Sequence, residues 1–225
     1  MEDGKVMNKL NVLYEDNHII VVEKPANVLS QGDATGDLDL LTMVKQYVKV
    51  KYNKPGNVYI GLVHRLDRPV GGIMVFARSS KAAARLNKEQ LEHGFKKNYL
   101  AVIDGFMDKK KGRLVDKLKK LDNGNTIVSN DGKEAILDYE VLSENHETNH
   151  SLVSIRLLTG RHHQIRVQFA SRGHHLCGDQ RYGPLNNKQL ALFANELEFT
   201  HPVSKERMKF KLEKPNYSYW TEFTL

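Results

Sequence analysis

Only one cysteine, Cys177, occurs in the 225 residues. No intrachain disulfide can form, and a reducing, cytoplasmic setting is the natural expectation. Long apolar runs are missing too. Stretches such as HIIVVE (18–23) are far too short to span a bilayer. The N-terminal MEDGKVMNKLNVLYED lacks the apolar core and cleavage pattern of a signal peptide. No Walker loop and no G-x-G-x-x-G run offers a cradle for a nucleotide cofactor, and no G-x-S-x-G elbow supports a serine hydrolase. The paired histidines His162-His163 and His174-His175 are adjacent, not four apart on one helix face, and no H-E-x-x-H run is present. No metal and no nucleotide cofactor is therefore expected. No repeat, low-complexity tract or Gly/Ser linker divides the chain, which fits one large domain or at most two small ones.

What is present begins with charge. Lysine and arginine number 34 against 27 acids, a formal net charge of +7. Such a chain favours polyanionic partners through counterion release. The basic residues concentrate in DKKKGRLVDKLKK (108–120), where Leu114, Val115 and Leu118 interrupt the charges, as in an ordered arm.

Periodicity sketches the rest. NVLYED and HIIVVEKP read as two strands joined at Asp16-Asn17. The spacing of Leu40, Leu41, Val44, Tyr47 and Val48 predicts a helix within 38–52. Ser79 and Ser80 before KAAARLNKEQLEHG, closed by Gly94, delimit a second helix. KKNYLAVIDG, NTIVSN, EAILDYEVLSEN and HSLVSIRLLTG are β-rich, and GLVHRLD and GGIMVFAR look like strand pieces. RHHQIRVQFASRG (161–173) reads as a short helix with Ile165 and Phe169 on one face. LALFANELEFTHP and RMKFKLEKP form a hairpin near His201-Pro202. Strands dominate, without regular strand–helix alternation. The expected fold class is α+β.

The run HRLDRPVGG (64–72) places one carboxylate, Asp67, between Arg65 and Arg68 on a turn. A second arginine-rich segment, GRHHQIR (160–166), stands far away in sequence. If the strands before them are neighbours, Arg166 can reach Asp67; on spacing alone a structural ion pair is the plainer reading.

Four ordered blocks, VVEKPANV, GLVHRLDRPVGGIMVFARS, KKNYLAVIDG and LLTGRHHQIRVQFASRGHHLCGDQRYG, together resemble the ribosomal-large-subunit-A type of RNA pseudouridine synthase. The resemblance runs from about residue 10 to the C-terminus. It implies an N-terminal extension over 1–10 and a catalytic domain over 11–225, with no room for the accessory S4-type RNA-binding module. It implies a mixed, largely antiparallel central sheet with flanking helices and RNA-binding loops, and an isomerase converting one or a few uridines of ribosomal or transfer RNA to pseudouridine with neither metal nor organic cofactor. The missing module favours a stem-loop RNA, a monomer is the default expectation, and the short apolar runs leave no membrane partner expected.

The resemblance also assigns roles. Asp67 is the reacting carboxylate, able to attack C1′, attack C6 or remove the C2′ proton. Arg166 keeps it ionised and aimed. Tyr99 stacks on the everted uracil, and Arg65 fills the space it leaves. Ile165 walls the pocket. Beyond the resemblance, Lys24 with Pro25 is expected to shape the rim, and Arg161 and the basic arm at 109–120 are candidates for phosphate contacts. His64 and Arg68 are structural. The chain departs from the family pattern at Val70-Gly71-Gly72, usually Thr-Ser-Gly, at His162, usually Thr, and at Gln168, usually His. These departures bear on loop conformation and substrate choice more than on chemistry. Two other classes compete: an inactive RNA-binding relative on the same scaffold, and a carboxylate hydrolase. The hydrolase needs a second facing carboxylate, which none of the blocks offers.

Overall fold

The computed structural model describes residues 10–224, so nearly all of the expected extension over 1–10 lies outside the described residues. The chain divides into two compact units. The first comprises residues up to Phe95 together with Glu196–Leu212, and the second Lys96–Asn195 together with Glu213 onward.

In the first unit, β1 (Asn11–Glu15) and β2 (Ile19–Lys24) form the expected hairpin. The Asp16 carboxylate closes its turn by accepting the amides of His18 and Ile19 at 2.7 and 2.8 Å. β2 also pairs antiparallel with β4 (Gly71–Ala77). Ladders on both sides explain why Ile19 to Val22 form a continuous apolar run with no exposure. β10 (Leu192–Thr200) lies on the other side of β4, and β11 (Arg207–Lys211) pairs with β10 as the predicted hairpin.

Helix α1 (Leu40–Lys51) buries Leu40, Met43, Val44 and Val48, one face at helical spacing. Asp39 caps it, accepting the Thr42 amide at 3.0 Å and the Thr42 hydroxyl at 2.7 Å. Helix α2 (Ser80–Leu91) is capped by Ser79, as the serine pair predicts. Its Ala82, Ala83 and Leu86 pack with Ile19, Val21, Ile73, Val75 and Phe199 in the unit's core.

In the second unit, β5 (Lys96–Asp104) pairs antiparallel with β9 (His150–Leu157), and β9 with β8 (Lys133–Asn145). Next come β6 (Lys111–Lys120) and β7 (Thr126–Val128). Helix α3 (Gln164–Ala170) buries Ile165 and Phe169 on one face, with Phe169 edge-on to Tyr139. A short 3-10 helix, Ser218–Glu222, buries Trp220. The architecture is the expected α+β one, with mixed, mostly antiparallel pairing and three α-helices among the described residues. Among the described residues, no helix is long and apolar enough to cross a membrane.

Three local expectations need correction. GLVHRLD is not a strand beyond β3 (Gly61–Leu62). Side chains replace the ladder there: His64 Nε2 accepts the Val75 amide at 3.1 Å, and Ser30 Oγ bonds both the amide and the carbonyl of Leu66. The third helix begins at Gln164, not Arg161, because His163 takes a left-handed conformation (φ 51°) that ends the preceding loop. The basic arm is ordered as expected, as strand β6, but its charges are not all open to a phosphate: Lys111, Arg113 and Lys119 pair with acids.

The caps are a direct test of the local reading. Asp39→Ala should destabilise the protein by about 1–2 kcal/mol and Ser79→Ala by about 1 kcal/mol, read as urea midpoints.

Candidate active site

Asp67, Arg65, Arg68 and Lys24 belong to the first unit. Asp67 opens a turn whose Val70 amide donates to the Asp67 carbonyl at 3.0 Å. The Asp67 side chain is half-buried, whereas Arg65 is exposed and makes no hydrogen bond or ion pair among the described residues. Arg68 turns away to Asp37 (2.7 Å) and to the Asn27 carbonyl (3.3 Å), a structural role as expected.

Beneath the turn lies Lys24, with no exposed surface at all. Its Nζ donates to the carbonyls of Pro25 (3.0 Å), Val28 and Arg68 (3.1 Å). Lys24 therefore does not present its charge at a rim; it shapes the turn from below. Burial pushes its pKa down to about 7, the Asp67 carboxylate opposes that shift and Arg68 adds to it. Three carbonyl acceptors need three donors, which only the ammonium form has. The sequence places Lys24 at the end of β2, opposite Gly72 of β4. Gly72 has φ 129°, a conformation that favours glycine, which accounts for the second glycine of HRLDRPVGG. Val70, where the family pattern has a polar residue, is 2% exposed and packs as core.

Tyr99, Ile165, Arg161 and Arg166 belong to the second unit. Tyr99 lies on β5 opposite Ile155 of β9 and is buried. By strand alternation it shares a face with Lys97, whose pKa burial lowers to about 8. Ile165 and Arg166 follow one another on α3, both buried.

Arg166 has a partner that sequence spacing does not reveal. Its Nε and Nη2 grip the two oxygens of Asp179 at 2.8 and 2.7 Å, a planar fork on a fully buried carboxylate. Asp179 also accepts the amides of Arg181 and Tyr182. Burial by itself would raise the Asp179 pKa; the Arg166 bonds and charge and the two amides outweigh it and hold it below the ordinary value. The Tyr182 ring packs 5.2 Å from the Arg166 guanidinium carbon, and its hydroxyl meets His163 Nδ1 at 2.7 Å. Burial, Arg166 and neighbouring charges lower the His163 pKa to about 3, so the imidazole stays neutral. The signal for Asp179 is present in CGDQRYG, but no local rule joins an acid to an arginine 13 positions earlier. Cys177, nearby in that segment, is buried, and burial pushes its thiol up to about 12, as suits a small core hydrophobe. Among the described residues, no three His, Cys, Asp or Glu side chains gather as a metal ion would need.

The profile of RNA pseudouridylate synthases matches residues 18–171. The chain belongs to the RNA pseudouridylate synthase family. Its sequence is 35% identical to an uncharacterized RNA pseudouridine synthase of Bacillus subtilis, over 88% of this chain and 66% of that one. It is 33% identical to ribosomal large subunit pseudouridine synthase D of Zymomonas mobilis, over 92% of this chain and 69% of that one. The chain thus spans about two thirds of the length of these curated relatives. A solved structure, human RNA pseudouridylate synthase domain containing 4, shares the fold with a TM-score of 0.81 at 19% identity, covering 98% of this chain and 95% of that one.

The other departures from the family pattern also have structural roles here. Gln168 donates to Asp116 (2.7 Å) and to the Ala135 carbonyl (3.2 Å), which ties α3 to β6 and β8. His162 Nδ1 meets the Thr126 hydroxyl at 2.8 Å. In the basic arm, Lys110, Lys111, Arg113 and Lys119 pair with Glu144, Glu140, Asp138 and Asp131. Much of its charge is neutralised across the sheet.

Two measurements check these interior charges. Lys24→Met leaves three carbonyls without their donor and should lower stability by about 3 kcal/mol or more in equilibrium unfolding. Asp179→Asn should be less stable than wild type at pH 7. That difference should shrink as pH falls through the lowered pKa of Asp179, because a carboxyl depressed in the folded state loses its contribution there.

Proposed function

We propose that this chain isomerises specific uridines in RNA to pseudouridine, with Asp67 as the reacting carboxylate and residues 11–225 as the catalytic domain. The observation that carries the reading is Asp67 itself: a half-buried acid at the head of a turn supported by the buried Lys24 cation, in a chain of the RNA pseudouridylate synthase family. The reaction breaks the N1–C1′ bond, turns the base and rejoins it through C5, so no atoms are gained or lost. A carboxylate at C1′, C6 or the C2′ hydrogen serves this only when ionised, and Lys24 is the cation whose charge interacts with it from below.

By the family pattern, Tyr99 and Arg166 complete the chemistry. Arg166 is a buried guanidinium whose Nε and Nη2 are fixed by Asp179, which limits its motion and sets the direction of its remaining amino group. Tyr99 offers a ring for stacking, worth about 1–3 kcal/mol per base, which offsets much of the few kcal/mol needed to evert a nucleotide. Arg65, exposed and unengaged among the described residues, takes the vacated place in the stack. Ile165 forms the apolar wall, and Arg161 contacts phosphate. Because relatives such as synthase D of Zymomonas mobilis are named for the ribosomal large subunit, ribosomal RNA is the first substrate to test, with transfer RNA second.

The decisive experiment maps pseudouridine chemically in ribosomal and transfer RNA treated with purified protein. Wild type should modify one or a few uridines, and Asp67→Asn none, while still binding RNA. Unchanged modification by Asp67→Asn would overturn the assignment. Arg166→Lys should lower turnover by about a hundredfold or more, since lysine has no planar fork; wild-type turnover in that variant would remove Arg166 from the chemistry.

A further inference from the structure

The second unit carries a cleft of about 420 Å³ between strands β6, β7 and β8 and the loop that precedes α3. Lys119, Lys120, Lys133 and Arg161 line it, against one acid, Asp131. Asp131 is already paired with Lys119. Lys120 and Lys133 make no side-chain hydrogen bond or ion pair among the described residues. Arg161 is anchored by its Nε to the Glu134 carbonyl at 2.8 Å, so its two amino groups project beyond that bond. Three cationic groups thus converge on one concavity without a counter-ion among the described residues.

The walls are firmly built. Gln164 accepts the Arg161 amide and the Thr159 hydroxyl, each at 2.9 Å, and donates to the Ile136 carbonyl at 3.1 Å. His162 stacks on His163 at 3.7 Å and bonds to Thr126, whose amide donates to the Tyr182 hydroxyl at 2.9 Å. Leu118, which lines the cleft, packs with Ala135 and Val167 below it. Gly160 lines the mouth, and a side chain there would meet nothing within 4 Å. The loop has open space for a ligand backbone to pass close to it.

We propose that this cleft is a phosphate-binding subsite for the RNA backbone, held by Lys120, Lys133 and Arg161. The inference rests on the proposed action on RNA, and it names the grip outside the reacting nucleotide. RNA is the favoured polyanion because the loop that carries Arg161 continues without a break into α3, which carries Ile165 and Arg166. A strand of phosphates held here therefore lies a few residues from the helix that serves the chemistry. The subsite also relocates the electrostatic grip. At the start of the arm, Lys110, Lys111 and Arg113 are neutralised by acids of β8, and unneutralised charge remains toward the far end of β6.

The test uses the full chain and a fluorescein-labelled hairpin RNA with a uridine-containing loop, titrated between about 50 and 200 mM salt. Each phosphate that is no longer gripped should reduce the slope of log K against log salt by about 0.7–0.9. The triple variant Lys120→Ala, Lys133→Ala, Arg161→Ala should therefore lower the slope by about two units and bind about tenfold or more weakly. Lys110→Ala, Lys111→Ala, Arg113→Ala removes the same formal charge from paired positions and should change the slope far less. An equal fall in both triples would mean that net charge alone matters and would overturn the subsite, as would an unchanged slope in the cleft variant. Circular dichroism confirms that each variant is folded. Asp67→Asn should bind with the wild-type slope. If wild type made no pseudouridine yet the cleft variant showed the reduced slope, the catalytic reading would fail while the subsite stood.

Discussion

A lysine with no access to solvent underlies the candidate chemistry. Lys24 closes β2, and its ammonium satisfies carbonyls from both sides of a turn: two from the loop after β2 and one from Arg68. An uncompensated cation in a protein interior is unfavourable by several kcal/mol. The fold therefore tolerates Lys24 only while those carbonyls and the Asp67 charge stay where they are. The dependence runs both ways, since the turn keeps its shape only while the ammonium is beneath it. The two arginines that flank Asp67 in sequence do not share one role. Arg68 pairs with Asp37 and Arg65 is exposed, and Lys24, from a distant strand, adds a charge that interacts with Asp67.

The second unit solves a similar problem with different groups. Arg166 is buried, and a buried guanidinium needs a planar anion as its partner. Asp179 supplies it, and the Arg181 and Tyr182 amides keep that carboxylate anionic. Neutral His163 and the Tyr182 ring fill the remaining space without adding charge. The result is an arginine with little freedom to move, as an orienting group requires. The same tyrosine hydroxyl contacts Thr126, so one aromatic side chain braces both the arginine and the wall of the basic cleft.

Much of the architecture is legible from local pattern. The caps at Asp39 and Ser79, the Asp16 turn and the fully apolar β2 follow from rules that act over a few residues, and the structure has each of them. The loop at 63–70 defeats a local reading because its backbone bonds are satisfied by the His64 and Ser30 side chains, the latter 36 positions from its partner. The basic arm does so for a related reason. Its lysines look unpaired in sequence, and only the β6–β8 register sets Lys111 opposite Glu140 and Arg113 opposite Asp138.

By itself the sequence determined the order and type of most of the elements, the α+β class and the family, because these rest on short-range spacing and on motif blocks that keep their order along the chain. Tertiary structure alone decided that Lys24 is interior, that Arg166 grips Asp179, and which basic residues keep an unneutralised charge. Those outcomes depend on strand register and on side chains brought together from distant positions, and a shift of one residue in the register of a strand would send its side chains to the opposite face.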